Sequence, residues 1–290
     1  MTFQLAWAAV TNGYLAGFLR GEIYQGALKG ICVPGLNCYS CPGALGACPV
    51  GSFQAALAGF DATIPLYVIG ALFVFGAFLG RVVCGWLCPF GLLQEIIWKI
   101  PFPFKRRNFV RDKVFRLVKY AILAVIVIAL PLFWRNGITG EPFFCKYICP
   151  SGTIFGGWTL AAVNANLRSA VGRIFAWKSA VAISIIFASL MTFRPFCKYL
   201  CPLGAFYGFF NGVAVLRLRF DEKKCIRCTR CAHECPMGVS LPSLPNGAEC
   251  IRCGRCVSVC PHDALLVEGF TKKPGKSAYK EVSDVTQEFR

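Results

Sequence analysis

Histidine is nearly missing from this chain of 290 residues, which holds only His233 and His262. Both lie in the polar part of the sequence after residue 210, where they are most simply surface or packing residues. No apolar segment can therefore ligate a haem b through two histidines, and no Cys-x-x-Cys-His motif offers a haem c site. Neither a G-x-G-x-x-G sequence nor a P-loop is present, which excludes the common nucleotide-binding loops.

Acidic residues are also scarce. The chain has 14 Asp and Glu against 31 Lys and Arg, a formal net charge of +17. So basic a chain could bind nucleic acid or an anionic membrane surface. Because the charge lies beside apolar segments, we interpret it as a signal of orientation in a bilayer and expect no nucleic-acid partner. The acids Asp61 and Glu95 stand only at the edges of the apolar segments, which argues against a proton pump.

Apolar residues make up 56% of the chain and are concentrated in blocks. A helix needs about 20 mainly apolar residues to cross a bilayer, and four segments qualify: 2–19, 63–83, 114–134 and 172–193. The first lacks the basic region and cleavage site of a signal peptide, so we expect it to be retained. Segment 154–167 is short and contains two asparagines, so we expect an interfacial or re-entrant helix there instead of a fifth span.

The loops predict an orientation. The stretch 99–119 holds eight Lys and Arg and one Asp, whereas 20–62 holds two basic and two acidic residues. Lys and Arg mark the cytoplasmic side, so the N-terminus, the basic loop and the C-terminal region are expected in the cytoplasm. The chain would then be a multi-pass protein of the cell (inner) membrane. Segment 91–100, which leads into the basic stretch, carries an apolar stripe and predicts an interfacial helix.

Composition divides the chain into three parts. Residues 1–210 form a predicted transmembrane domain with a cysteine-rich loop at 30–50, and 211–268 form a polar domain. Residues 269–290 have little apolar content and predict a flexible tail. The fold class that follows is an α-helical membrane protein of about four transmembrane helices with a C-terminal α+β domain.

Eight of the 18 cysteines follow one spacing. Both "CIRCTRCAHECP" (225–236) and "CIRCGRCVSVCP" (250–261) read Cys-x2-Cys-x2-Cys-x3-Cys-Pro. Three closely spaced thiolates suit one face of a four-iron cubane, and the fourth, before proline, reaches the other cluster. Zinc sites and disulfides are the alternatives, but zinc sites use paired Cys-x2-Cys knuckles.

The tandem motif resembles the bacterial two-cluster ferredoxins. The resemblance implies two [4Fe-4S] clusters in the C-terminal domain. One would be held by Cys225, Cys228, Cys231 and Cys260, and the other by Cys250, Cys253, Cys256 and Cys235.

A second spacing, Cys-x-x-x-Cys-Pro, occurs three times beside apolar segments, in "VCGWLCPFG" (83–91), "CKYICPSG" (145–152) and "CKYLCPLG" (197–204). Residues i and i+4 share a helix face, and the proline ends the helix at the second cysteine. Two such helix ends could present four thiols to one cluster. The predicted topology puts Cys84, Cys88, Cys197 and Cys201 at the inner face, where we expect a further [4Fe-4S] cluster. A redox-active thiol pair is the alternative.

Six cysteines fall on the outer face. Cys145 and Cys149 follow the third span, and Cys32, Cys38, Cys41 and Cys48 lie in the N-terminal loop. A cluster is expected here too, but the sequence does not decide which four would bind. Disulfides are the alternative, since the outer face can be oxidising. The expected cofactors are two [4Fe-4S] clusters in the polar domain, one or two more at the membrane faces, and no haem.

The chain resembles the membrane 4Fe-4S polyferredoxin family in "GRVVCGWLCPFGLLQE", "RPFCKYLCPLGA" and the two ferredoxin motifs, over roughly residues 63–265. That family includes the membrane electron-donor subunit of periplasmic nitrate reductase systems and the cluster-bearing half of the nitrous-oxide-respiration regulatory protein. The resemblance implies membrane electron transfer, often from quinol or a cytoplasmic donor toward an exported reductase. The N-terminal cysteine loop and the pair Cys145 and Cys149 depart from the nitrate-reductase subunit.

The expected function is one-electron transfer between the ferredoxin clusters and the membrane-face sites. The hydrocarbon core is about 30 Å thick, a distance that re-entrant segments such as 154–167 would shorten. Expected partners are the lipid bilayer, redox proteins on one or both faces, and a quinone or flavin-bearing partner. We expect an electron-transfer subunit of an oxidoreductase system rather than a stand-alone enzyme. Two alternatives stay open: a regulatory or cofactor-maturation protein that uses its paired thiols, and a structural anchor that only tethers a ferredoxin.

Overall fold

The computed structural model describes residues 1–59, 65–106, 112–136, 139–169 and 171–269. The predicted tail after residue 269, the acid Asp61 and the centre of the basic loop at 107–111 lie outside the described residues.

The described chain is mainly helical. The helices are α1 (Thr2–Thr11), α2 (Leu15–Arg20), α3 (Pro49–Leu57), α4 (Leu66–Leu79), α5 (Pro89–Lys99), α6 (Asp112–Phe133), α7 (Pro150–Gly152, continued by Thr153–Trp158 and Thr159–Val163), α8 (Ala165–Ser169), α9 (Arg173–Met191), α10 (Pro195–Tyr199), α11 (Pro202–Phe210), α12 (Arg230–Glu234) and α13 (Arg255–Ser258). Two antiparallel ribbons pair β1 (Arg135–Asn136) with β2 (Thr139–Gly140), and β3 (Arg217–Phe220) with β4 (Leu265–Glu268).

The segment expected as the first span is two short helices, α1 and α2, instead of one long helix. α1 ends at Thr11, and the Asn12 side-chain amide donates to Ala8 O at 3.0 Å. Gln4 is buried and donates its side-chain amide to Cys88 O at 2.7 Å. A helix of ten residues rises about 15 Å, so α1 does not cross a bilayer. Its polar side chains make contacts inside the protein instead.

Two described helices are long and apolar enough to cross a membrane, α6 with 22 residues and α9 with 19. They match the third and fourth predicted spans. α4, in the second predicted span, has 14 residues and rises about 21 Å. It ends because Gly80 adopts a left-handed φ of 53°. Length and composition thus support two spans, and the prediction of four is not confirmed.

Helices α5 and α7 lie where the sequence predicted interfacial helices. In α5 the polar residues Gln94 and Glu95 are buried, whereas Ile96 and Ile100 of the predicted apolar stripe are exposed. Leu92 of the same stripe is buried, and Gln94 and Glu95 are buried because they contact the segment that carries Cys197. α7 ends at Val163 and packs on α9, where Trp158 Nε1 donates to Ser179 Oγ at 3.0 Å.

The C-terminal domain is closed by its first and last strands, with Leu218 opposite Val267. It does not stand apart from the helices, since the Val215 N–H donates to Ala77 O of α4 at 3.0 Å. One buried apolar core includes Phe90 and Phe196 of the helical part as well as Met237 and Ile251 of the C-terminal domain. The two parts therefore pack as one unit.

Candidate functional site

Four cysteines precede a proline that begins a helix. They are Cys48 before α3, Cys88 before α5, Cys149 before α7 and Cys201 before α11. Their ψ angles lie between 112° at Cys201 and 129° at Cys48, because proline disfavours helical geometry in the residue before it. Each thiol consequently stands at the N-terminal end of a helix instead of within one.

Glycine stands three residues after each of these cysteines, at positions 51, 91, 152 and 204, so the full motif is Cys-Pro-x-Gly. The N–H groups of Gly91 and Gly204 donate to the Sγ atoms of Cys88 and Cys201, both at 3.4 Å. At Gly152 an added Cβ would lie 3.1 Å from Cys38 Sγ. The motif thus holds the thiol and keeps the space beside it open.

The structure brings together Cys84, Cys88, Cys197 and Cys201, the four cysteines of the predicted inner site. All four side chains are buried, and the thiols lie within electrostatic range of one another. Gln94 holds the segment that carries Cys197 and Cys201. Its side-chain amide donates to Cys197 Sγ at 3.1 Å, and its Oε1 accepts the Phe196 N–H at 3.1 Å.

The outer site is formed by Cys38, Cys48, Cys145 and Cys149, whose thiols are likewise within electrostatic range of one another. Gln54 Oε1 accepts the Cys145 N–H at 3.2 Å, and Lys178 Nζ donates to Cys145 O at 3.1 Å. The structure thereby selects four of the six cysteines that the sequence left undecided.

Cys32 and Cys41 stay outside the outer site. The Cys41 thiol contacts Asn12 Oδ1 at 3.7 Å and has Cys38 as its cysteine neighbour. Cys32 is buried and contacts Ser52. None of the cysteines, all of which are described, forms a disulfide. Among the described residues, no three Cys, His, Asp or Glu side chains converge closely enough to hold a single metal ion.

Two segments that supply three of the four cysteines of the inner site recur in the outer site, whereas Cys84 and Cys38 lie four and ten residues before Cys88 and Cys48. Cys-Pro-x-Gly-x-x-Gln occurs at 48–54 and at 88–94, and "FCKYICPSG" (144–152) matches "FCKYLCPLG" (196–204). In both sites the glutamine accepts a backbone N–H from the opposite segment. Sequence reasoning found three copies of the cysteine pair but missed Cys48–Gly51 as a fourth Cys-Pro-x-Gly, and it missed both glutamines. The repeated sequence Cys-Pro-x-Gly-x-x-Gln could have identified both.

Aromatic side chains separate the two sites. The rings of Phe144 and Phe196, which directly precede Cys145 and Cys197, have centroids 6.4 Å apart. Tyr207 is buried, donates its hydroxyl to Pro34 O at 3.0 Å, and is within electrostatic range of Cys48 as well as Cys84. The N-terminal cysteine loop folds back against the inner site, where a Cβ on Gly35 would lie 2.9 Å from Cys88 Cα.

The ferredoxin cysteines divide into two groups across the two motifs. Cys225, Cys228, Cys231 and Cys260 line a cavity of about 510 Å³, here called the distal ferredoxin site. Cys235, Cys250, Cys253 and Cys256 line a second cavity, the proximal ferredoxin site. The N–H groups of Ala264 and Val239 donate to Cys260 Sγ at 3.3 Å and Cys235 Sγ at 3.4 Å. This crossed grouping is the one that the ferredoxin resemblance implies.

The proximal ferredoxin site lies directly against the inner site. Trp86, between Cys84 and Cys88, donates its indole N–H to Arg252 O at 3.0 Å. The backbones are close enough that a Cβ on Gly85 would lie 2.4 Å from Ile251 O. Burial lowers the pKa of Arg252 to about 10, and its guanidinium donates to Leu79 O at 3.2 Å.

Two buried carboxylates connect the domains electrostatically. Glu95 pairs with Arg194 at 2.5 Å and with Arg255 at 2.8 Å. Burial alone would raise the pKa of Glu95, but the two guanidinium groups outweigh it and hold the pKa below its usual value. Glu249 pairs with Arg81 at 2.9 Å and with Lys119. Burial again opposes these cations, which keep its pKa lowered.

The donor sets fit iron–sulfur clusters. Each site offers four cysteines, and backbone N–H groups donate to cysteine sulfur in all four sites, as is usual around cluster thiolates. Burial raises the pKa of Cys250 to about 11, so binding a cluster there, which requires the thiolate, releases a proton.

Comparison with known proteins identifies the class. A family model described as "4Fe-4S binding domain" matches residues 60–111, 120–164 and 174–221, and one described as "4Fe-4S dicluster domain" matches 217–261. Each of the first three stretches contains one Cys-x-x-x-Cys-Pro pair, and the dicluster match contains both ferredoxin motifs. No solved structure matches the chain.

Similar curated proteins include members named as ferredoxin-type proteins. The chain is 31% identical over 221 residues to an uncharacterized protein of Methanocaldococcus jannaschii, with 74% of each chain covered. It is 28% identical over 194 residues to the ferredoxin-type protein NapH of Haemophilus influenzae, covering 63% of this chain and 58% of NapH. It is 27% identical over 176 residues to the methylamine utilization ferredoxin-type protein MauN of Methylobacillus flagellatus, covering 58% and 52%. The chain thus covers less than two thirds of NapH and of MauN.

These matches define a ferredoxin-type 4Fe-4S electron-transfer protein. The chain belongs to the family of 4Fe-4S polyferredoxins that resemble NapH, as its motifs predicted.

Proposed function

We propose that this protein passes single electrons along a row of four [4Fe-4S] clusters, from the distal ferredoxin site through the proximal and inner sites to the outer site. The observation that carries the proposal is the sorting of the cysteines into four adjacent groups of four, with Cys32 and Cys41 left over. When bound, the clusters supply one-electron redox chemistry. The cysteines of each group are their proposed ligands.

Burial along the row supports this function. At one end Cys228 is exposed, and at the other Cys38 and Cys145 are half-buried. All four cysteines of the inner site are buried. Partners can therefore reach the two ends, while the inner site is shielded from solvent and from stray oxidants.

The proposed setting is the cell membrane, with the ferredoxin domain in the cytoplasm. The long apolar helices α6 and α9 and the excess of basic residues in 99–119 support it. By analogy with relatives named as ferredoxin-type proteins, the partners are redox proteins of an oxidoreductase system. A quinone or flavin-bearing partner is proposed as donor or acceptor at one end of the row.

Iron analysis of protein purified without oxygen tests the proposal. Four clusters require about 16 iron atoms per chain, and the ferredoxin domain alone requires about eight. A value near eight would refute the two sites in the helical part.

The alternative of a thiol-based maturation protein is tested by alkylation. Cys84 and Cys197 should resist alkylation in the intact protein if a cluster occupies the inner site, whereas free reactive thiols would favour the alternative. An anchor that merely tethers a ferredoxin would keep its electron transfer after Cys145→Ser, which should instead interrupt transfer to the outer partner.

A further inference from the structure

Two buried arginines repeat one arrangement at the inner site. Arg81 stands three residues before Cys84, and Arg194 stands three residues before Cys197. Each donates to the backbone carbonyl of the other segment: Arg81 Nη2 to Cys197 O at 3.1 Å, and Arg194 Nη1 to Cys84 O. The side chains are 0% and 1% exposed, so both charges are removed from solvent.

One N–H donor of each guanidinium has no acceptor in the part of the chain that the structure describes. Nε of Arg81 and Nε of Arg194 are buried and have no hydrogen-bond partner among the residues that the structure describes. A buried donor of this kind is costly unless it is satisfied. Both arginines lie within electrostatic range of inner-site thiols, Arg81 of Cys84 and Arg194 of Cys88. The missing acceptors are therefore expected at the site itself.

The outer site lacks this pair. The residue three positions before Cys38 is Gly35, and Pro142 stands three residues before Cys145, at the position that corresponds to Arg194. Two lysines stand there instead: Lys178 of α9 bonds Cys145 O, and the buried Lys29 lies within electrostatic range of Cys38. The outer site thus holds lysines from other segments where the inner site holds a pair of arginines.

We propose that Arg81 and Arg194 are positioning residues that donate their Nε–H groups to sulfur at the inner site and raise the redox potential of the cluster there. The inference rests on the proposed function, since it requires a cluster at the inner site. A reduced cluster carries one more negative charge than the oxidised one, so a fixed neighbouring cation stabilises the reduced form.

The test is an EPR-monitored redox titration of the full chain. The inner signal is identified as the one lost in Cys201→Ala. In Arg194→Gln we expect the equilibrium constant for reduction of the inner cluster to fall at least tenfold. For one electron this is a drop of about 59 mV in redox potential. Glu95→Gln, which removes the counter-charge of Arg194, should shift the potential upward. Arg217→Gln is the matched control, because Arg217 also pairs with a glutamate, at 3.2 Å, but is 52% exposed.

The outcomes separate the two proposals. If the wild type shows no signal that Cys201→Ala removes, the inner cluster is absent and the proposed function fails. If the signal is present but Arg194→Gln shifts it no more than Arg217→Gln does, the inference is overturned. Should Arg194→Gln not assemble, Arg194→Lys keeps the charge but loses the Nε–H. In Arg194→Lys, altered EPR g-values of the inner cluster with less than a tenfold change in its reduction equilibrium would support the inference. Unchanged g-values and an unchanged potential would overturn it.

Discussion

Replacing Gly85 by alanine perturbs the contact between the ferredoxin domain and the inner site. The added Cβ would lie 2.4 Å from Ile251 O, with the next atoms, Ile251 C and Cβ, at 3.5 and 3.7 Å. Non-bonded contacts are favourable at about 3.5 Å, so the two backbones must separate by about 1 Å. The obstacle is a backbone carbonyl, which cannot rotate away as a side chain could. Overpacking of this kind costs about 1–3 kcal/mol.

Amide hydrogen exchange measures that cost. If the loop 249–256 opens locally, a loss of about 1–3 kcal/mol speeds its exchange by roughly 5 to 150 times, at 1.4 kcal/mol per factor of ten. Gly212→Ala is the control, since nothing lies within 4 Å of a Cβ there. If exchange in 249–256 and the EPR signal of the inner site are both unchanged in Gly85→Ala, the close seating of the two domains is refuted.

Three further predictions concern single side chains. Cys48→Ser should lower the iron content by about four atoms per chain, whereas Cys32→Ser should leave it unchanged; loss of iron in both would contradict the assignment of the outer site. Gln94→Leu leaves the buried Phe196 N–H without its acceptor, at a cost of about 1–3 kcal/mol, and should lower the thermal unfolding midpoint, while the exposed Gln25→Leu should not. Because the pKa of Glu95 is held below its ordinary value of 4.5, its pairing stabilises the folded protein fully above that pH and is lost as the pH falls through the lowered pKa. The fall in unfolding midpoint on acidification should therefore be smaller in Glu95→Gln, and an identical pH profile would argue against the bridge.

Sequence reasoning reaches furthest where the determinants are local. The crossed grouping of Cys235 with the second motif is implied by the ferredoxin resemblance, which a spacing repeated within one short domain carries. The extended conformation at Cys88 and Cys201 follows from the proline after each. The prediction that these two segments share one site rests on the expected ends of two apolar helices. In each case the information lies within a few residues of the atom concerned.

Sequence reasoning failed where contacts join distant segments. The first apolar segment satisfied the composition of a span, yet the Gln4 amide bonds Cys88 O, 84 residues away, a contact that no periodicity reveals. The choice of Cys38 over Cys41 depends on how the N-terminal loop folds over α7, where a Cβ on Gly156 would meet Ser40 O at 2.7 Å. The burial of Glu95 likewise depends on Arg255 from the other domain.

Buried charge also explains why the two related sites are not equivalent. A guanidinium removed from water costs several kcal/mol unless it is paired, and the inner site holds two, balanced by Glu95 and Glu249. Both carboxylates also touch the ferredoxin domain, because Glu95 pairs with Arg255 and Glu249 directly precedes Cys250. Arg194 is paired by Glu95 within the helical part, whereas Arg81 depends on the docked domain, which supplies Glu249. The outer site, which lacks this pair of arginines, has no such requirement. The two repeated segments thus occur once beside the docked ferredoxin domain and once beside the N-terminal cysteine loop.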